Sequence, residues 1–166
     1  MAKVFIGGSR QLTELEAAVC DRLDRIVAKG LPVLVGDAGG AHEAVQRYFR
    51  GRGYANVTVF SSDARPRHNV GGWPVRVTQP GRARTGLEFH ASKDRAMAGE
   101  ATVGLMLWDG RSRGTLLNVL RLSWPGSRRG PRAASGPPRR RRAWAKGPPT
   151  WRACVSSRSE PRRSRA

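Results

Sequence analysis

The sequence predicts a Rossmann-like α/β fold over residues 1–122. It would be a three-layer sandwich around a mostly parallel sheet of four to five strands, followed by a disordered tail over residues 123–166. Three observations lead there. Short apolar runs alternate with segments of helical period. Three of those runs stop in glycine-rich turns. Aliphatic residues all but vanish after Leu122. Parallel strands need long crossovers, and helices supply them while covering both faces of the sheet.

The elements follow in order. Lys3-Val-Phe-Ile-Gly7 is an apolar run that ends in Gly-Gly-Ser-Arg, as a buried strand does when it meets a tight turn. Leu12, Leu15, Val19, Leu23, Ile26 and Val27 recur at helical spacing. Thr13 and Glu16 have the spacing of a capping box, and Gly30 reads as the helix stop. Leu31–Val35 is a second strand. It opens through Gly36-Asp-Ala-Gly-Gly40 into a helix from Ala41 to Phe49, closed by Gly51 and Gly53. Val57–Phe60 is a third strand, completing a βαβαβ unit with right-handed crossovers. Residues 61–85 form a long polar loop with one apolar patch at Trp73–Val77, and such length in a compact domain marks function or disorder. Glu88–Ala98 reads as a helix, Thr102–Trp108 as a fourth strand, and Thr115–Leu122 as the start of another helix. No internal repeat is visible.

Charge divides the chain at the same place. The net charge is +19, but residues 1–122 hold 18 Lys/Arg against 11 Asp/Glu, whereas residues 123–166 hold 13 against 1. The tail is mostly Arg, Pro, Ser, Ala and Gly, which bury too little apolar surface to offset the entropy of ordering. Its Arg139–Arg142 run would bind nucleic acid weakly and with strong salt dependence. A fifth strand is expected after the helix at 115–122. The composition found there instead is that of a GC-rich gene read out of frame, so a frameshift near Ser123 is the preferred explanation of the tail. No apolar run reaches the roughly 20 residues of a membrane span, and no signal peptide opens the chain, which points to the cytoplasm and to no membrane partner. Cys20 reads as a small buried hydrophobe. Cys20 and Cys154 form no disulfide framework, and neither a metal site nor a cofactor is indicated.

The chemistry gathers at three turns. Gly7, Gly8, Ser9 and Arg10 follow the first strand. Gly36, Asp37, Gly39 and Gly40 follow the second. Asp109, Gly110, Arg111, Ser112, Arg113, Gly114 and Thr115 follow the fourth, with Asn118 one turn into the next helix. In an open parallel sheet all three lie on the carboxyl edge, where ligands bind. Glycines let a phosphate or ribose approach the backbone, and helix N-termini favour negative charge. Arg10, Arg111 and Arg113 would add charge-assisted contacts, and Asp37 and Asp109 would accept hydrogen bonds from ribose hydroxyls. Glycine turns are also ordinary at strand ends. Neither GxGxxG nor GxxxxGK[ST] is present, so an ordinary NAD or P-loop site is not supported.

The segments Lys3–Arg10, Val35-Gly-Asp-Ala-Gly-Gly-Ala-His-Glu-Ala-Val45 and Gly104–Thr115 resemble the SLOG superfamily, in particular its small YspA-like bacterial proteins. The resemblance covers residues 3–122. It implies a nucleotide or nucleotide-derived, ADP-ribose-like ligand, often bound as a sensor, and some relatives cleave N-glycosidic or phosphoribosyl bonds. In the phosphoribohydrolases of the group a Gly-Thr is followed three residues later by a catalytic Glu. Here Gly114-Thr115 is followed by Asn118, which cannot act as a carboxylate. The pattern's acidic residue is replaced by His42, with Glu43 adjacent.

Three function classes therefore stand: a nucleotide-ligand binding module, a nucleoside or nucleotide N-glycosidase or phosphoribohydrolase, and a nucleic-acid-binding protein acting through its tail. Glu88 and Asp109 are the candidate catalytic carboxylates. Glu88 and Asp94, flanking Lys93, read first as solvated helix residues. Arg65, Arg67, His68 and Asn69 are placed to close over a ligand, and Trp73 or Trp108 to stack on a base. Folds of this kind often pair as homodimers.

Overall fold

A computed structural model describes residues 2–78, 86–123 and 152–155. It contains β1 (Val4–Gly8), α1 (Ala17–Ala28), β2 (Val33–Gly36), α2 (Ala41–Gly51), β3 (Val57–Ser61), β4 (Val75–Val77), α3 (Gly86–Glu100), β5 (Val103–Trp108), α4 (Arg113–Ser123) and β6 (Arg152–Val155). All the strand pairs are parallel, in the order β4-β3-β2-β1-β5-β6.

Strand alternation builds the two cores. Val4 and Ile6, Val33 and Val35, Val57 and Val59 face the helices α1 and α2, where Leu23, Val45 and Phe49 meet them. Phe5, Leu34, Phe60 and Met106 face the other way, onto Met97 and Ala98 of α3 and Ala101 just beyond its end. Both faces of the central strands are apolar because both are covered, and the result is the three-layer Rossmann-like sandwich.

Three expectations need correction. The capping box does not form: α1 begins at Ala17 behind an N-cap at Glu16, without a side-chain cap, and Leu12 and Leu15 pack on the core from the preceding loop. Apolar spacing continued past the helix because that loop also lies on the core. Cys20 is only half-buried. The span 61–85 is not one loop, since Val75–Val77 pairs with Val59–Ser61 and extends the sheet. Arg152–Val155, within residues 123–166, pairs with Leu105–Trp108 as the edge strand β6. The rest of that tail, including Arg139–Arg142, lies outside the described residues, as do residues 79–85.

Two glycines show why they are glycines. Gly30 ends α1 at φ 58°, with open space around it. Gly40 opens α2 at φ 71° and ψ −131°, and a Cβ there would overlap the Arg10 backbone. The first needs only the left-handed conformation; the second also needs the absence of an atom. Gly30→Ala is expected to cost about 1–2 kcal/mol, whereas Gly40→Ala must also part α2 from the Arg10 turn. Urea unfolding should show Gly40→Ala as clearly the more damaging of the two.

Candidate functional site

Strand order reverses between β1 and β5, with α1 and α2 on one face and α3 and α4 on the other. Ligand crevices open at such a reversal, outside the carboxyl ends of the strands. The polar interior of the protein lies along the same carboxyl edge, reaching from β5 and β1 to the ends of β2 and β3. Among the described residues, every buried polar side chain lies at or above these strand ends: Ser9, Asp37, Ser61 and Ser62 on the strand-end turns, and His42, Gln46, Lys93, Thr115 and Asn118 on the helices that meet them.

The three predicted turns are brought together. Ala41 N–H donates to the Ser9 carbonyl (3.2 Å), joining the first turn to α2. Asp109 N–H donates to Ser9 Oγ (3.2 Å), which also lies 3.3 Å from Thr115 Oγ1, joining the first turn to the third. Ser112 caps α4: its Oγ accepts from Thr115 N–H (3.3 Å) and lies 3.0 Å from Thr115 Oγ1. α2 has no such side-chain cap. Arg10, Arg111 and Arg113 are exposed on the rim.

Several of the glycines are explained by packing. A Cβ on Gly8 would meet Ala41 Cβ at 2.6 Å and the Leu107 carbonyl at 2.7 Å, and one on Gly36 would meet the His42 ring at 2.5 Å. Gly7 is wedged against Met106. By contrast Gly39 has only ordinary contacts nearby, and Gly110 and Gly114 have open space. These three leave room for a ligand at the backbone.

The acidic candidates differ in what they have left to offer. Asp37 is 2 % exposed. Its carboxylate accepts from Lys93 Nζ, from Ser61 Oγ (3.1 Å) and from the Arg67 amide (3.2 Å), with the Arg67 guanidinium at 3.5 Å. Burial would raise the Asp37 carboxyl, but the Lys93 ammonium and the Arg67 donors outweigh it and hold the group well below the usual carboxylate range. Those oxygens are committed within the protein rather than to a ribose. Asp109 Oδ1 accepts from the amides of Arg111 (2.9 Å) and Ser112 (2.8 Å), which lower its pKa. This ties it to shaping the turn. Glu88 stands in the first turn of α3, but its side chain lies outside the described residues.

Asn118 is buried, and its Nδ2 donates to Asp94 Oδ2 (2.8 Å) while its Oδ1 accepts from Arg121 (2.7 Å). His42 is buried as well. Burial pushes its pKa down to about 4, aided by the Lys93 ammonium and opposed by Asp94, the Gly36 carbonyl and Asp37. Its Nδ1 makes no hydrogen bond despite that nearby carbonyl. The ring is therefore neutral at physiological pH.

The segment expected to close over a ligand is anchored. Arg67 is bound to Asp37, His68 Nδ1 lies 3.5 Å from Glu43, and Asn69 holds Trp73 at both its amide and its carbonyl. Arg65 alone of these is on the surface without a described contact role. Trp73 is a core residue, with Nε1 donating to the Tyr54 carbonyl (3.0 Å), and does not stack at the edge. Trp108 is half-buried, its Nε1 closing the third turn onto the Ser112 carbonyl (3.0 Å).

Sequence reasoning missed Lys93 and Gln46. Both had a signal. Lys93, Met97 and Ala101 repeat at i, i+4, i+8 on α3, and His42, Gln46 and Phe49 repeat at i, i+4, i+7 on α2, so each polar residue falls in an apolar stripe. Gln46 is fully buried. It donates to the Gly36 and His68 carbonyls (3.0 and 3.2 Å) and accepts from Val70 N–H (2.9 Å).

No family model, characterised protein or solved structure matches the chain. Among the described residues no group of side chains could hold a metal ion, and no helix is long and apolar enough to cross a membrane.

The two buried titrating groups fix an acid response. The folded His42 has a lower pKa than the roughly 6.5 of an unfolded histidine, so the unfolded chain takes up the proton first. Its contribution is complete above about 6.5 and is lost as pH falls toward 4. Asp37, also lowered, contributes fully above about 4 and is lost below that. Urea midpoints measured against pH should thus begin to fall near 6.5. His42→Gln should extend the plateau down toward 4, leaving only the Asp37 limb.

Proposed function

We propose that the carboxyl edge of the sheet binds a nucleotide or nucleotide-derived, ADP-ribose-like ligand, as a cytoplasmic sensor rather than a catalyst. The observation that carries this reading is the gathering of buried polar side chains along the carboxyl ends of the strands, from β3 through β2 and β1 to β5. A fold that needed only to pack would not place its hydroxyls, amides, imidazole and ammonium together at one end of the sheet, because each must be desolvated and partnered. Three further features agree. The rim carries Arg10, Arg111 and Arg113, suited to phosphate. Gly39, Gly110 and Gly114 leave the backbone approachable. The α2 N-terminus carries no side-chain cap. The resemblance of the three turns to those of the SLOG superfamily points the same way. Bond cleavage draws less support, because Asp109 is committed to its turn and Asn118 is an amide.

Calorimetry with AMP, ADP and ADP-ribose tests the reading. Binding is expected to at least one, weakened about tenfold by Arg10→Ala through loss of one charge-assisted contact. Chromatography of the same mixtures should show the ligand unchanged. Absence of binding across the panel would refute the proposal, and release of free base would replace it with the enzymatic reading.

A further inference from the structure

Asp94 is the carboxylate at this edge whose environment sets it apart. It projects from α3 toward Asn118 of α4, one turn along the helix from Thr115, whose Oγ1 lies 3.3 Å from Ser9 Oγ on the first turn. Asp94 Oδ2 is held at 2.8 Å by the buried amide of Asn118, and Asn118 is fixed in turn by Arg121 at 2.7 Å. Among the described residues Oδ1 has no hydrogen-bond partner, and the side chain is only partly buried. Of the other described acids near the edge, Asp63 is exposed beyond β3 and accepts only from the adjacent Ala64 amide, and three are committed elsewhere. Asp37 serves Lys93, Ser61 and Arg67; Asp109 serves its own turn; Glu43 pairs with Arg47 and lies against His68.

A carboxylate with one oxygen clamped and one open is a fixed acceptor for hydroxyl donors. A phosphate would be repelled by it, and of the bases only guanine, through N1–H and N2–H, presents an adjacent donor pair to it, a case that GMP measured against AMP, CMP and UMP separates. The ligand part that presents hydroxyl donors is the sugar. Building on the nucleotide-binding reading, we infer that Asp94, oriented by Asn118, receives the ribose hydroxyls and makes the site selective for ribo over 2′-deoxyribo ligands. A site built to bond a hydroxyl discriminates strongly against the analogue lacking it, because the buried acceptor is left unpaired.

The test is calorimetry on the full chain with AMP, GMP, CMP and UMP and their 2′-deoxy counterparts. The expected result is a ribo preference of about tenfold or more. Asp94→Asn keeps the shape and an acceptor toward Asn118 but loses the charge. It should bind deoxy ligands as the parent does and lose the preference. A role confined to tying α3 to α4 would not move that ratio. If Asp94→Asn does not fold, Asn118→Ser, which frees Asp94 from its clamp, should lower the ratio instead. Equal binding of ribo and deoxy ligands by the parent chain, or a preference retained in the folded variants, overturns the assignment of Asp94 while leaving nucleotide binding intact. No binding to any of the eight overturns the assignment of Asp94, and absence of binding to ADP and ADP-ribose as well overturns both.

Discussion

Lys93 carries an ammonium into a position that is 3 % exposed, and only Asp37 makes that tolerable. Taking either charge out of water alone costs several kcal/mol, so neither could sit there without the other. The pairing does more than cancel charge. Asp37 ends β2, Ser61 ends β3, Arg67 lies in the loop beyond, and Lys93 is in the middle of α3; one carboxylate ties all four. It fixes the height and rotation of α3 above the sheet. Successive helical residues point about 100° apart, so with Lys93 directed at the strand ends, Asp94 is turned toward α4. The whole polar edge takes its geometry from this pair.

Around that pair the edge separates into two zones. Inside, charges are matched and hydroxyls are bonded to one another, as in the chain from Asp109 N–H through Ser9 to Thr115 and Ser112. Outside, the rim holds exposed arginines and glycines with open space. The inner zone supplies rigidity, because a densely bonded polar network has few alternative arrangements, with the buried His42 Nδ1 left unpaired within it. The outer zone supplies attraction for anions. Elsewhere the surface is less well covered: Leu116, Leu117 and Leu120 of α4 are 41–56 % exposed.

The strands and helices of the body were legible because burial is written in periods of two and 3.6. Val33-Leu-Val35 reads as a strand whichever face is considered, and α2 announces itself through Ala41, Val45 and Phe49. The start of α1 was not legible. Leu12 and Leu15 keep the helical spacing while sitting in a loop that packs on the same core, and spacing cannot tell the two apart. β4 escaped notice because its three residues are all exposed and carry no alternation between a buried and an open face. β6 escaped it because a four-residue strand in an Arg- and Pro-rich segment is defined only by its partner, β5.

The three turns were located from sequence alone, since a glycine-rich stretch after a buried strand has one place to be in a parallel sheet. Their individual roles were not. Gly8, Gly36 and Gly40 looked like ligand-facing glycines, but the structure spends them on contacts with Ala41, His42 and Arg10. Asp37 looked like a ribose acceptor and is instead the anchor of Lys93, fifty-six residues away. Asp94 looked like a solvated helix residue and is partly buried, held by the Asn118 amide of α4. By itself the sequence determined which apolar strand residues would form the core and which edge would carry the polar turns, because those depend on local pattern and on the direction of parallel strands. Which acid is engaged and which has an oxygen to offer was decided by the tertiary structure alone, because it depends on partners that only the packing of α3 across the strand ends brings within hydrogen-bonding distance.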